Sequence, residues 1–180
     1  MGAKVLTAAL FLDAPVVNSS STLYIVHSIL KIPIMLRGLD VARGYLWELI
    51  TSMFIHANIY HLILNIIGLK VFGDAMSNLA GERRVLTSFL LSGLAGNVLS
   101  AVTQPLALSV GASGGAFGLF AASAVIDYRR TGSYSLIALL LVIMVLSSVP
   151  IYGFPNVVAH VGGAVSGLLL GLHYSREAPR

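Results

Sequence analysis

The chain has 180 residues, no cysteine, and 10% charged residues, against about 25% in an ordinary soluble domain. With a 57% apolar share, this excludes a soluble globular protein and, more firmly, a disordered one. The missing cysteines exclude disulfide scaffolds, thiolate metal sites and cysteine nucleophiles, and the net charge of +4 is informative through its placement, with no nucleic-acid partner implied.

The length suits one domain over residues 1–180. Apolar runs of membrane-spanning length organise it. The N-terminal run, Lys4–Leu12, is weak, because Asp13, Pro15, Asn18 and a serine cluster interrupt it. It lacks the apolar length and small-residue cleavage site of a signal peptide. The segment from about Ser20 to Ile50 is long and mixed, and holds Trp47. Its LYIVHSILKIPIMLRGL stretch can be drawn as an amphipathic interfacial helix or as a poorly defined first span. Five stronger spans follow, at about Ser52–Phe72, Val85–Val102, Ala112–Ile126, Tyr134–Val149 and Val157–Tyr174. The connection Ser147–Asn156, SSVPIYGFPN, reads as a turn with Ile151, Tyr152 and Phe154 as an apolar plug.

Counting six spans with the N-terminus inside puts Lys4, Lys70, Arg83, Arg84, Arg129, Arg130, Arg176 and Arg180 on the cytoplasmic side. Only Lys31, Arg37 and Arg43 then lie opposite, which supports an N-in/C-in topology.

Strongly polar groups inside spans are costly and mark function by default. His56, His61, Asn65 and His160 stand out, with Ser113 among the glycines of GASGGAFG. His61 and Asn65 are i,i+4 and share a helix face. His56, five residues before His61, falls about 140° round the same helix and need not share their site. That spacing, and the absence of H-E-x-x-H, argues against a metal site. Gly163, Gly167 and Gly171 form a ridge on the last span, and Gly114 and Gly118 offer a matching face. Small-residue faces let helices approach closely. Packing these two faces brings His160, one turn before Gly163, beside Ser113. A neutral imidazole can take the proton of a serine hydroxyl, making it a nucleophile. Asn65, His61 and the Ser113 backbone N–H are then candidate donors to an oxyanion, the last because a first-turn N–H has no intrahelical partner. With no orienting carboxylate at hand, the set is a Ser–His dyad.

Taken together, these residues resemble the rhomboid intramembrane serine proteases. The second span carries H-x4-H-x3-N as His56, His61 and Asn65. The fourth carries G-x-S-G as Gly111, Ser113 and Gly114, and the sixth A-H-x-x-G-x-x-x-G as Ala159, His160, Gly163 and Gly167. The likeness covers about Leu46 to Gly171. It implies an all-α membrane protein, a six-transmembrane-helix rhomboid-like bundle with a weak first helix, N-in/C-in, in a prokaryotic inner membrane. It further implies Ser113 as nucleophile, His160 as base, and His61, Asn65 and the Ser113 N–H at the oxyanion. His56 would support the site near a water-filled cavity, Phe117 would pack on the His160 ring, and the loop SSVPIYGFPN would cap it. Substrates would be membrane proteins cut in a transmembrane helix within the lipid bilayer, with no cofactor. Two positions depart from the family pattern: Glu48 follows Trp47 where the family has arginine, and Ser77 stands where Gly73-x-x-x-Glu is usual. Two rivals remain at this stage. One is an inactive rhomboid-like protein that binds transmembrane helices. The other is a small transporter, for which the chain lacks paired intramembrane carboxylates.

Overall fold

The computed structural model describes residues 34–149 and 155–177. The described chain begins with a two-residue strand β1 (Leu36–Arg37) and two short helices, α1 (Gly38–Ala42) and α2 (Glu48–Thr51), followed by a 3₁₀ turn at Ser52–Phe54. Five longer helices follow: α3 (Ile59–Ala80), α4 (Glu82–Thr103), α5 (Ser113–Thr131), α6 (Ser135–Ser147) and α7 (Val157–Glu177). Strand β2 (Leu108–Ser109) precedes α5 and pairs antiparallel with β1, Leu36 opposite Ser109 and Arg37 opposite Leu108.

Helix α5 is the axle of the bundle. Every residue from Gly114 to Ile126 is buried, and α3, α4, α6 and α7 all pack on it. The composition explains this. A helix enclosed on all sides must offer small residues where backbones approach, and α5 reads GGAFGLFAASAVI over that stretch. A Cβ on Gly163 of α7 would overlap the Gly114 carbonyl oxygen, one on Gly167 would overlap that of Gly118, and one on Gly171 would lie 2.7 Å from that of Ala122. The glycine ridge is therefore the α5–α7 seam, as expected from its spacing.

The outer helices face away from the core. Helices α3, α4 and α7 are long and apolar enough to cross a membrane, and α6 is a shorter apolar helix. Exposed Leu64, Ile66, Ile67, Val71, Leu139, Leu141, Val142 and Leu169 suit lipid contact. This is an integral membrane protein with an all-α core. Five of the six segments expected to span fall on helices α3–α7, three of which are long and apolar enough to cross a membrane, and the weak first one lies outside the described residues.

Two boundaries differ from the sequence expectation. The first strong span does not start at Ser52. The apolar run there is broken by the 3₁₀ turn and an extended link, and α3 begins only after Asn58, whose side chain accepts the His61 N–H at 2.9 Å. It also runs past Phe72 to Ala80, because Lys70 and Asp74 form an exposed i,i+4 pair at 2.6 Å instead of ending it. The stretch drawn as an amphipathic helix ends differently as well. Its last residues form β1 and the start of α1, and its remainder, before residue 34, lies outside the described residues.

The loop before α3 is firmly tied down. Glu48 is 0% exposed and accepts the Arg37 backbone N–H at 3.0 Å. Thr51 Oγ1 donates to the Ile34 carbonyl, and Asn97 of α4 donates to the Leu49 carbonyl and to Ser52 Oγ. Glutamate at position 48 thus anchors the loop as an acceptor, where the arginine of the resemblance would have to donate. Burial pushes the Glu48 carboxyl up from 4.5 to about 7, against the lowering effect of the Arg37 N–H.

The helices alternate in direction, so the ends of α3, α5 and α7 gather with the start of α4. There Arg84 lies over the Tyr174 ring at 4.8 Å, and Arg83, Arg129, Arg130 and Arg176 share that end. The opposite end holds Arg37, Arg43 and the candidate site.

Candidate functional site

Four helix ends converge at that opposite end: the starts of α3, α5 and α7 and the finish of α6. Ser113 is the first residue of α5. Gly111, two residues earlier, has φ +115°, a conformation that side chains rarely adopt, and a Cβ there would sit 2.6–2.7 Å from the His61 ring. Both constraints require glycine, and together they place the turn into α5 directly against His61. The Gly111 N–H donates to the Ser52 carbonyl at 2.9 Å, which joins this turn to the anchored loop before α3.

On α7, Asn156 accepts the Ala159 N–H at 3.0 Å and donates to Ser100 Oγ at 2.6 Å and Ser109 Oγ at 2.7 Å. It caps α7 while fastening its start to α4 and to β2. His160 follows one turn into the helix, 6% exposed. Its Nε2 lies 2.8 Å from Ser113 Oγ. The Phe117 ring packs against it, with centroids 4.7 Å apart at 34°. On its other side, Nδ1 lies 3.4 Å from Ser147 Oγ.

His61 and Asn65 face the same space from α3. His61 Nδ1 accepts the Ala57 N–H at 3.4 Å, which puts the ring proton on Nε2, the nitrogen beside Gly111. Asn65 is 6% exposed. Its Nδ2 donates to the His61 carbonyl at 2.8 Å, so one amide proton is engaged and one remains, and its buried Oδ1 has no partner among the described residues. The N–H of Ser113, at the first turn of α5, has no intrahelical acceptor. His56 departs from expectation. It sits on the extended link before α3, not on the helix, and its ring meets His61 edge-on at 5.1 Å. From that link it packs against His61, a place that helical spacing alone had left open.

A cavity of about 550 Å³ opens onto these groups, lined among others by His61, Asn65, Ser113, Phe117, Leu146 and His160. The arrangement holds a hydroxyl against an imidazole beside several N–H donors, at the edge of an apolar cleft. That set can activate an oxygen nucleophile and receive a developing negative charge. Of the described residues expected at the site, His61, Asn65, Gly111, Ser113, Phe117 and His160 are brought together here, with the His56 ring against that of His61. Gly114 and Gly163 set the helix approach, and Gly167 continues it one turn further. The proposed cap residues Ile151, Tyr152 and Phe154 lie outside the described residues. Two contributors escaped the sequence reading. Asn156 was detectable, as an asparagine before an apolar run is an N-cap signal. Ser147 was not, since its relation to His160 depends on how α6 ends.

Comparison with known proteins points one way. The rhomboid-domain family model matches residues 43–177. Rhomboid-like protease 3 of Toxoplasma gondii is 31% identical over 161 residues, 80% of this chain and 59% of the relative. The mitochondrial RHOMBOID-like protein 6 of Arabidopsis thaliana is 32% identical over 130 residues, 69% and 42% of the two chains. A rhomboid protein of Bacillus subtilis is 36% identical over 139 residues, 74% of this chain and 69% of the relative. The chain thus spans about half the length of the first two. Because these relatives are both eukaryotic and bacterial, they do not single out a prokaryotic inner membrane.

Proposed function

The chain belongs to the rhomboid family, and from that premise we propose that it is an intramembrane serine protease working through a Ser113–His160 dyad. The observation that carries this reading is the 2.8 Å contact between Ser113 Oγ and His160 Nε2 at the edge of the cavity. The substrates are membrane proteins presenting an extended stretch of a transmembrane segment. A helical amide is hydrogen-bonded and shielded, so cleavage needs an unwound bond. The topology that goes with this reading is six spans, N-in/C-in, in one domain over residues 1–180.

The chemistry follows from the donors and acceptors. Ser113 Oγ attacks the scissile carbonyl carbon while its proton passes to His160 Nε2. The carbonyl oxygen becomes an oxyanion, met by the Ser113 N–H, the His61 Nε2–H and the remaining Asn65 amide proton. Collapse breaks the C–N bond, and the leaving amine takes the proton from His160. A water then attacks the acyl-enzyme with His160 again as base, releasing a carboxylic acid and restoring the serine. Phe117 and His56 touch the rings of His160 and His61 and hold them in place.

The test is cleavage of a model transmembrane substrate in proteoliposomes, with product termini read by mass spectrometry. Wild type cuts within the membrane segment, and Ser113→Ala, correctly folded, does not. Undiminished turnover by Ser113→Ala ends the assignment. A protein that only held transmembrane helices would bind substrate equally well with or without this hydroxyl and cut neither way.

A further inference from the structure

We propose that Ser147 is a positioning residue for His160: its hydroxyl oxygen accepts the Nδ1–H of the ring and holds the imidazole in the tautomer that leaves Nε2 bare. The inference rests on the reading of Ser113 and His160 as the catalytic pair, and adds a third member to it from α6.

The direction of each hydrogen bond follows from counting protons. Ser147 is the last residue of α6, and its Oγ lies 2.9 Å from the Met144 carbonyl oxygen and 3.4 Å from His160 Nδ1. A carbonyl has no proton, so the Ser147 hydroxyl must donate to Met144. That carbonyl would otherwise be an orphan of the last helical turn, since the Ser148 N–H turns to the Val145 carbonyl instead. A hydroxyl has one proton and two lone pairs. With its proton committed, Ser147 Oγ can face His160 only as an acceptor, and Nδ1 must then carry the ring proton. A neutral imidazole has a single N–H, so Nε2 is bare and accepts the Ser113 hydroxyl proton across 2.8 Å. The three bonds thus run in one consistent sense: Ser113 O–H to Nε2, Nδ1–H to Ser147 Oγ, and Ser147 O–H to the Met144 carbonyl. The opposite tautomer reverses the first, so that Nε2 can no longer act as base, and loses the second. It turns Nε2–H against Ser113 Oγ and leaves Nδ1 seeking a proton that Ser147 has already given away.

No substitute stands among the described residues. Among the described residues lining the cavity there is no carboxylate. Phe117 covers a ring face and His61 stands across the space on α3, so neither serves Nδ1. When His160 takes the proton of Ser113 the ring becomes cationic, and the Nδ1–H bond to Ser147 becomes charge-assisted and stronger. Ser147 therefore contributes more as the reaction proceeds than at rest, the differential that lowers a barrier. The 3.4 Å separation is long for such a bond, as expected of a catalytic contact that tightens with substrate in place.

The test compares Ser147→Ala, Ser147→Thr and Ser147→Val in the full chain on a model transmembrane substrate. Thr and Val match in size and differ in the hydroxyl. Ala and Val lose about 3- to 10-fold in kcat with KM unchanged, the loss of one hydrogen bond, whereas Thr stays within about twofold of wild type. In parallel, ¹⁵N-histidine spectra of the whole protein in detergent report which ring nitrogen is protonated, the His160 signals being those lost in His160→Gln. Wild type and Ser147→Thr carry the proton on Nδ1, and Ser147→Ala shifts it toward Nε2. A wild-type ring protonated on Nε2, an unchanged kcat in Ser147→Ala, or Thr falling together with Val overturns the proposal. The wild-type spectrum decides alone if a variant fails to fold. Failure of the underlying reading looks different: Ser113→Ala would then keep cutting, whereas failure of this inference leaves Ser113→Ala dead and Ser147→Ala fully active.

Discussion

Replacing Gly163 by alanine adds one methyl group at the tightest point of the α5–α7 seam. The new Cβ would overlap the Gly114 carbonyl oxygen and lie 2.7 Å from its carbon and 3.0 Å from the Gly114 Cα. Ordinary carbon contacts are about 3.5–4.0 Å, so the two helices must part locally by about 0.8 Å or more. These are backbone atoms on both sides, and no side chain can swing away. Ser113 and His160 lie next to this contact, one residue before Gly114 and three before Gly163. Opening their 2.8 Å contact by the same amount carries it to about 3.6 Å, outside hydrogen-bond reach. A misplacement of about 1 Å costs about 10²-fold in rate, and overpacking of this kind costs about 1–3 kcal/mol in stability. Gly167→Ala meets the same obstacle at the Gly118 carbonyl, but two helical turns from His160, so it should lose comparable stability with a much smaller loss of rate per folded molecule. The assay is turnover of a model transmembrane substrate normalised to folded protein, with thermal unfolding in detergent on the same preparation. Gly163→Ala with wild-type rate and wild-type unfolding temperature would refute the argument that this seam sets the distance between serine and histidine.

Three further outcomes follow from the site and its anchoring loop. Asn65→Ala should lose about 10²–10³ in rate if its free amide proton meets the oxyanion, together with about 1 kcal/mol of stability from the lost bond to the His61 carbonyl; a stability loss with unchanged turnover assigns Asn65 to structure alone. Wild-type turnover should rise from acid toward neutral pH, because only an unprotonated Nε2 can accept the Ser113 proton; a flat pH–rate profile under conditions where chemistry limits turnover contradicts His160 as base. Glu48 titrates in the fold near pH 7 instead of 4.5, so the fold favours its neutral form; that contribution to stability is complete below about pH 4.5 and lost as the pH rises through about 7. Thermal unfolding of Glu48→Gln and wild type compared from pH 4.5 to 8 should therefore diverge with rising pH in favour of the glutamine variant, and parallel curves would show that Glu48 is not held neutral.

Much of the site was legible because membrane burial makes polar residues expensive and therefore conspicuous. Ser113, His61, Asn65 and His160 stand out against an apolar background, and the four-residue glycine period on α7 identifies the face that meets α5. The places where reading by hydropathy fails are instructive. The run through Met53, Phe54 and Ile55 is as apolar as a span, yet it is a turn and a link. What marks the true helix start is Asn58 as a cap, a local hydrogen-bonding signal that hydropathy averages away. The helical angle given to His56 rests on that mistaken start, whereas the residue lies on the link, where its ring meets that of His61. The β1–β2 pair is two residues long and joins segments some seventy residues apart, so no local pattern announces it. The Glu48 anchor was obscured by type. A carboxylate in place of an arginine looks like a lost contact until the backbone N–H of Arg37 is seen to point at it. Ser147 depends on how the last turn of α6 meets α7, a tertiary contact that sets a polar residue of an apolar helix beside His160.

The most direct test of the account is covalent trapping of the serine. A fluorophosphonate probe reacts when an activated hydroxyl oxygen attacks phosphorus, fluoride leaves and the proton passes to a base. In detergent, wild-type protein should become labelled, and peptide mass spectrometry should find the adduct on Ser113. Ser113→Ala and His160→Ala, folded to the same extent, should both remain unlabelled, while Ser123→Ala, altering a buried serine whose hydroxyl is committed to the Leu119 carbonyl at 2.9 Å, should label as wild type does. Labelling that persists in Ser113→Ala, or that falls on another residue in wild type, would contradict the assignment of Ser113 and His160 as the catalytic pair.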